Sequence, residues 1–560
     1  MCNLLELMDV RISPKLRTVR LLVCAVPLLC VVAPNAPAQS LPTRHVRKEI
    51  TSGEANFISR LPPTESLRLD IALPLRNQPA LDDLLQKLYD PQSPLFQHFL
   101  SVAEFTERFG PSREDYAAAI RFAEQNGLTV TGTSVNRVVL SVTGSVANIE
   151  RAFQVTMAAY RHPTEARTFY SPDREPSPAG LGVPLWHISG LDNFSIPHPA
   201  SLHRSLEASY KATGSGPHAN FLGSDMRAAY TGGTVYNGAG QSVGLVEFGG
   251  YNIADVQMYF ASARQPLSVP VNGISTDGSP LTCKTGCTDL EQALDIEEAI
   301  SMAPGLSQVR VYVARASDVD VFNQMATDNI SKTLSCSWGW SPPDPSSDDP
   351  IFQEFAAQGQ TLFAASGDNG SYGTGALGTL NIYPSFDSYV TSVGGTVLTT
   401  NGPGGPWESE TAWSGSGGGV APDISIPKYQ KLPGVITKAN QGSLTMRNCP
   451  DVALEANTDN YICYDGGCAE GWGGTSFAAP RWAAYLALLN QQRVGNGKPT
   501  IGFIDDNFYA IGVGTGYSSL FHDITTGSNG QYSAEIGYDL VTGWGSPNSA
   551  GVFEDVVRKK

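Results

Sequence analysis

Residues 471–489 read GWGGTSFAAPRWAAYLALL. A Gly-Gly-Thr-Ser opens what reads as an apolar helix, which places Ser476 on the first turn, a favourable position for a serine nucleophile. Upstream, from about residue 221, buried strands alternate with helices. QSVGLVEFGG (241–250), QVRVYVA (308–314), KTLSCSWG (332–339) and TLFAASGD (361–368) read as strands. ADVQMYFASA (254–263), DLEQALDIEEAISM (289–302), DVDVFNQMATDN (318–329) and IFQEFAAQGQ (351–360) read as the helices between them. That alternation predicts an α/β fold with a parallel sheet covered on both faces. Reactive groups in such folds gather at the carboxyl ends of strands, where Glu247, Trp338 and Asp368 fall.

The 560 residues exceed what one hydrophobic core serves, so two or more domains are expected. An apolar content of 41% against 16% charged residues excludes a disordered chain. A net charge of -16, from 53 acidic and 37 basic residues, disfavours nucleic acid and anionic membranes as partners. Arg11, Lys15, Arg17 and Arg20 precede the apolar run LLVCAVPLLCVVA (21–33) and Ala36-Pro37-Ala38. This is the pattern of a secretory signal cleaved after Ala38, with an N-terminal membrane anchor as the rival reading. Removing 1–38 leaves six of the nine cysteines, all between 283 and 468. In an exported chain an even set points to disulfides. The simplest pairing is Cys283–Cys287, Cys463–Cys468 and Cys336–Cys449.

From about 65 to 195 the chain reads as a small α+β unit. LRLDIALPL (67–75) is a strand, ALDDLLQKLYD (80–90) and REDYAAAIRFAEQNG (113–127) are helices, and TVTGTSVNRVVLSVTG (129–144) gives two strands. SVANIERAF (145–153) is a further helix and QVTMAAYR (154–161) a further strand. IPHPASLHRSLEASYKATGSGPHAN (196–220) is polar and unpatterned, as an exposed, protease-sensitive linker would be.

Ser476 needs a base. Only His218 and His522 lie beyond the linker body, and neither sits at a strand end or helix start. Carboxylates are the other candidates. Glu291 and Asp295, four residues apart, share one face of a predicted helix. Two acids so placed repel when both are charged, which raises one pKa and lets the pair share a proton in acid. Spacing alone equally fits a solvated acidic face. Asp368 follows an apolar strand in a glycine-flanked turn; protonated, it would donate to a developing oxyanion, and otherwise it caps the turn.

EQALDIE (291–297), SGDNG (366–370) and GGTSFAAP (473–480), in this order and at these separations, resemble the sedolisin or serine-carboxyl peptidase family. The resemblance implies a subtilisin-like catalytic domain with Ser476 as nucleophile, Glu291 as general base, Asp295 supporting that base and Asp368 as oxyanion donor. Glu247 and Trp338 resemble the residues that extend the hydrogen-bond chain behind the base. DPQSPLFQHFLSVAEFTERFGPSREDY (90–116) and FYSPDREPSPAGLGVPLWHISGLDNF (169–194) look like the family's activation prodomain, of α+β ferredoxin-like fold. The implied organisation is signal 1–38, prodomain 39–195, linker with the processing site 196–220 and peptidase domain 221–560. Asn369 stands where many members have serine, and PSFDSYVTSVGGT (384–396) lacks the commoner Ser-Pro.

FHDITTGSNGQYSAEIGYDLVTGWGSPN (521–548) gathers two aspartates and several glycines, the hard oxygen donors that calcium prefers. By composition an ordinary polar loop fits as well. The segment resembles the family's calcium loop, which implies one Ca²⁺ held by the side chains of Asp523 and Asp539 and the carbonyls of Ile524, Glu535 and Gly537. Glu535 stands where many members have glycine. The expectation is therefore a secreted, monomeric, acid-active zymogen acting on proteins or peptides, inhibited by its own prodomain. Two alternatives stay open: a tripeptidyl-peptidase of the same family, and a catalytically inactive calcium-binding relative.

Overall fold

In the computed structural model, residues 43–200, 202–205, 213–284, 287–315, 317–341, 345–372 and 383–548 are described. The expected export signal lies outside the described residues.

The N-terminal unit is built on two antiparallel sheets. One joins β1 (Asn56–Arg60), β5 (Met157–Arg161) and β6 (Thr168–Pro172). The other runs β3-β4-β2-β7, from β2 (Ser66–Ala72), β3 (Thr129–Thr133), β4 (Val139–Ser145) and β7 (His187–Ser189). Short α1 (Lys48–Thr51) precedes them, and α2 (Gln78–Tyr89), α3 (Val102–Arg108), α4 (Arg113–Gln125) and α5 (Val146–Phe153) complete the unit. Ser112 and Ser145 cap α4 and α5 by accepting the N–H groups of Asp115 and Asn148. Phe122, Ile149 and Phe153 from these helices pack on Leu69, Leu140 and Val142 of the sheet, which realises the expected α+β unit.

The unit is fastened to the rest of the chain by polar contacts. Arg68 Nη2 donates to Asp320 Oδ2 at 2.6 Å, and Ser317 Oγ to Asp70 Oδ2 at 2.7 Å. Asn136, fully buried, donates to Glu354 Oε2 at 2.7 Å.

The segment expected to be an exposed linker is strand-paired at residues 198–199 and 203–204 instead. β8 (His198–Pro199) and β9 (His203–Arg204) each add to a strand of the larger unit described next. Backbone groups impose their own pairing wherever an unpaired strand edge is offered, and side-chain patterning carries no trace of it.

The larger unit holds an eight-stranded sheet. Its strands are β10 (Ser242–Glu247), β11 (Val271–Ser275), β12 (Gln308–Val313), β13 (Thr333–Cys336), β15 (Thr361–Ala365), β16 (Val390–Thr400), β17 (Trp407–Ala412) and β20 (Val452–Glu455). The order is β11-β12-β10-β13-β15-β16-β17, with β20 beside β16, and every pair is parallel except the edge pair β16–β17. Peripheral strands are β14 (Trp338–Gly339), β18 (Gly419–Ser425), β19 (Met446–Cys449), β21 (Asn460–Tyr464) and β22 (Gly467–Gly473). Around the sheet lie α6 (Gly223–Tyr230), α7 (Ile253–Ser262), α8 (Leu290–Met302), α9 (Asp318–Asp328), α10 (Pro345–Gln358) and α11 (Thr475–Gly495). α11 packs on α8 and against β13, β15, β16 and β20, so it is buried on almost every side, as its apolar sequence requires. Among the described residues no helix is long and apolar enough to cross a membrane.

Cys283–Cys287 and Cys463–Cys468 form disulfides. The third expected pair does not form: Cys336 and Cys449 are separate buried thiols. Cys336 lies on central β13 with its sulfur toward the Trp338 carbonyl, whereas Cys449 ends β19, paired with Gly419 outside the main sheet.

Candidate active site

α8 is the element that composition misrepresents most. Its four carboxylates suggest a wet surface, yet Glu291, Asp295, Glu297 and Glu298 are all buried, so the solvated-face reading fails. A buried carboxylate needs a partner; Asp295, Glu297 and Glu298 each have a different one, and Glu291 alone of the four keeps both oxygens without one. Glu298 Oε2 accepts from Arg481 Nε of α11 at 2.7 Å, with both side chains out of solvent. The same guanidinium donates to the Glu455 carbonyl at 2.9 Å and Asn460 Oδ1 at 2.7 Å. Arg481 therefore locks the helix carrying Ser476 to the helix carrying Glu291. Glu297 accepts the N–H of Cys463 at 3.3 Å.

One turn earlier, Asp295 Oδ1 accepts from Ser337 Oγ at 2.7 Å. That hydroxyl also lies 3.3 Å from the Ser476 carbonyl, which sets it between the two helices. Glu247, at the carboxyl end of β10, accepts from Trp338 Nε1 at 2.9 Å and stands close enough to Asp295 for the two carboxyls to influence each other's titration. Desolvation pushes Glu247, Glu291 and Asp295 well above the usual carboxylate range. For Glu247 and Glu291 the neighbouring charge of Asp295 pushes further in the same direction. The Ser476 hydroxyl approaches Glu291 closely enough to pull its pKa back down, although the two side chains stop short of hydrogen-bond geometry. Catalytic contacts commonly close only when substrate arrives.

Asp368 follows β15, where the strand turns out of the sheet. Its Oδ1 accepts from Thr475 N at 2.6 Å and from Thr475 Oγ1 at 2.8 Å. The Thr475 hydroxyl in turn accepts the N–H of Gly367 at 3.1 Å. Asp368 Oδ2 is buried without a hydrogen-bond partner and lies against Gly474, where an added Cβ would stand 2.7 Å from it. Gly474 also holds φ at 156°, so the GGTS motif needs glycine for both backbone angle and close approach. Burial raises the Asp368 pKa to about 6. All four residues singled out in the sequence thus converge on one buried locus between β10, β13, β15 and the start of α11, with Glu247 and Trp338 behind them.

Three further residues of the locus escaped the sequence reading. Arg481 had a signal, a lone cation in an apolar run. Ser337 had none. His203 belongs to residues 202–205, which with 198–200 line the cleft: Trp338 pairs with Pro199, Gly339 with His198, Trp472 with Arg204 and Gly473 with His203. Ala200 N donates to the Ser337 carbonyl at 3.0 Å, and His203 Nε2 lies 2.6 Å from the Asp368 carbonyl. The remaining two histidines stand apart from this chemistry. His218 is exposed and pairs with Glu470 at 2.8 Å, and His522 stacks on Trp407 with ring centroids 3.8 Å apart.

Asp523 and Asp539 flank one loop. Gly537 N donates to Asp523 Oδ1 at 3.1 Å and Glu535 N to Asp539 Oδ2 at 3.0 Å. The other described partners of the two aspartates are Tyr517, Thr542 and backbone N–H groups, none of them a cation. Among the described residues no three or more His, Cys, Asp or Glu side chains gather at metal distance, so any cation here depends on carbonyls as well.

A family model described as "Pro-kumamolisin, activation domain" matches residues 54–194. Kumamolisin of Bacillus sp. (strain MN-32) is 31% identical over 541 residues, which cover 90% of this chain and 95% of kumamolisin. This chain belongs to the sedolisin family. Sedolisin of Pseudomonas sp. (strain 101) is 27% identical over 541 residues, covering 89% of this chain and 88% of sedolisin. The structure of Pseudomonas sedolisin, a serine-carboxyl proteinase complexed with two molecules of pseudo-iodotyrostatin, aligns at a TM-score of 0.53 with 27% identity, over 62% of this chain and 99% of that one. The sedolisin-family assignment makes the protein a serine-carboxyl peptidase carrying an N-terminal activation domain.

Proposed function

We propose that the chain is the zymogen of a secreted, acid-active endopeptidase in which Ser476, Glu291, Asp295 and Asp368 carry the chemistry. The observation that supports this reading best is the buried carboxyl set around Ser476 at the start of α11, with no histidine of the larger unit among its described contacts. In the dry interior, like charges repel, so Glu291, Asp295 and Glu247 resist ionising together and hold protons that can be passed along the set. Ser476 Oγ attacks the peptide carbonyl as its proton passes to Glu291. Asp295, held by Ser337 and Glu247, keeps the charge available to that base. Protonated Asp368 donates from Oδ2 to the tetrahedral oxyanion, while Oδ1 stays occupied by Thr475. Glu291 then returns the proton to the leaving amine, and water hydrolyses the acyl-enzyme by the reverse sequence. Residues 198–200 and 202–205, which follow the N-terminal unit, pair with β14 and β22 beside Ser337 and Asp368, which supports a role for that unit as intramolecular inhibitor.

The proposal extends to one Ca²⁺ at Asp523, Ile524, Glu535, Gly537 and Asp539. Its support is the pair of aspartates on one loop whose described partners include no cation. The ion would rigidify the loop 535–539.

The test is acid incubation of the purified zymogen and its Ser476→Ala form. The unsubstituted chain is expected to shed its N-terminal unit and digest denatured protein below about pH 5, and the variant to do neither. Maturation of the variant at an equal rate would refute the mechanism.

A further inference from the structure

The segment crossing the cleft makes contacts that any extended peptide bound there would inherit, because a strand added to an edge is held by main-chain hydrogen bonds and discriminated by alternate side chains. Two side chains on one face of segment 202–204 are seated. Leu202 packs into an apolar recess walled by Leu290, Leu294, Ile462 and Phe477, with Trp472 and Tyr464 at its rim. Its Cδ2 lies against Gly474, two residues before Ser476. Two positions on, the Arg204 guanidinium stands 5.5 Å over the Trp472 ring and donates from Nε to the Glu470 carbonyl at 3.3 Å. Between them His203 points the other way, to the Asp368 carbonyl.

Given the peptidase reading of the same cleft, on which this inference rests, we propose that this recess and the Trp472 face are substrate subsites selecting an aliphatic–any–basic tripeptide, with Leu202-His203-Arg204 occupying them in the zymogen. The aliphatic position lies two residues after the one whose N–H binds the Ser337 carbonyl, the register that Ala200 and Leu202 display. Leu294, Ile462 and Phe477 are fully buried and offer the entering side chain no polar atom, so a charged or hydroxyl-bearing side chain there loses its water without compensation. Trp472 borders both subsites, packing against the apolar cluster and offering its ring face to a cation.

The mature enzyme, given a mixed-sequence peptide library in acid and the products sequenced by mass spectrometry, should cut with Leu, Ile or Met enriched at one fixed position and Arg or Lys two residues later. A peptide with Leu at the first position should exceed its Ala counterpart by at least about tenfold in kcat/KM. Ile462→Ala, which deepens the recess, should move the preference from Leu toward Phe. Should that variant not fold, the linker itself reports: in the full chain Leu202→Asp should slow self-processing by about tenfold or more, and Leu202→Ile by no more than about twofold. Ser476-dependent cleavage with no aliphatic enrichment at any position, or equal processing of the two Leu202 variants, would overturn the subsites and leave the peptidase reading standing. No Ser476-dependent cleavage at all would overturn both.

Discussion

Asp368 shows most directly how a single residue is tuned. Its Oδ1 is saturated by Thr475, its Oδ2 is bare, and burial holds its pKa at about 6. A donor role requires the proton, which is present below about pH 6 and lost as the pH rises through that value. Asp368→Asn keeps an acceptor for Thr475 and a donor for the oxyanion but no longer titrates. Its kcat/KM profile should therefore lose the limb near pH 6 and retain activity at higher pH than the unsubstituted enzyme. Asp368→Ala removes the donor and should lower kcat by roughly 10²–10³. Glu291→Gln leaves Ser476 without its base and should be as inactive as Ser476→Ala, because the two act as a unit. These candidates were legible in the sequence because a serine at a Gly-Gly-Thr-Ser helix start, two acids four apart and an aspartate after an apolar strand are local patterns. Ser337 and His203 were not, since their meaning comes from segments distant in the chain, 42 residues away for the Ser337–Asp295 contact and 165 for His203–Asp368.

Two elements have pH responses of opposite sign. The N-terminal unit buries His45, His162 and His187. His45 Nε2 accepts the N–H of Ile188 on β7 at 3.0 Å, and His162 Nδ1 accepts the N–H of Glu165 at 3.1 Å. Desolvation lowers the pKa of His162 and, with further help from His45 and Arg47, that of His187. A folded-state pKa below the unfolded one means stability that is present above about pH 6.5 and drains away as the pH falls. Hydrogen exchange on the Ser476→Ala zymogen should show β7 and its neighbours losing protection below about pH 6, ahead of the large sheet. Uniform protection down to pH 4 would contradict this. In the larger unit, α8 and α11 depend on the Arg481–Glu298 pair. Removing one partner strands a buried charge, so Arg481→Ala should destabilise the mature enzyme by about 3–5 kcal/mol in urea unfolding. The segment DLEQALDIEEAISM disclosed a helix and its Glu291–Asp295 face, but charge patterning pointed to solvent. Only the packing of α11 across it shows why so acidic a helix is buried.

For the molecule as a whole, the buried carboxylates of the larger unit make its stability depend on pH. Desolvation raises Glu297, Glu455 and Asp505 well above the usual carboxylate range. Groups whose folded pKa exceeds the unfolded value contribute stability that is complete below about pH 4 and is lost as the pH rises through the folded pKa. The melting temperature of the mature enzyme should therefore fall between about pH 4 and pH 8, the reverse of the N-terminal unit, so that acid loosens the inhibitor while it holds the peptidase. Removing the proposed calcium with a chelator should lower Tm further, and Asp539→Asn should abolish that sensitivity. The sequence by itself determined the alternation of strands and helices, the α+β unit ahead of it, and the serine and carboxyl residues of the site, because hydrophobic periodicity and short motifs are written in neighbouring residues. Only the folded chain shows that Cys336 and Cys449 stay apart, that Arg481 ties the helix of Ser476 to that of Glu291, and that residues 198–199 and 203–204 pair with β14 and β22. These depend on which distant surfaces and strand edges meet, and no local pattern encodes such a meeting.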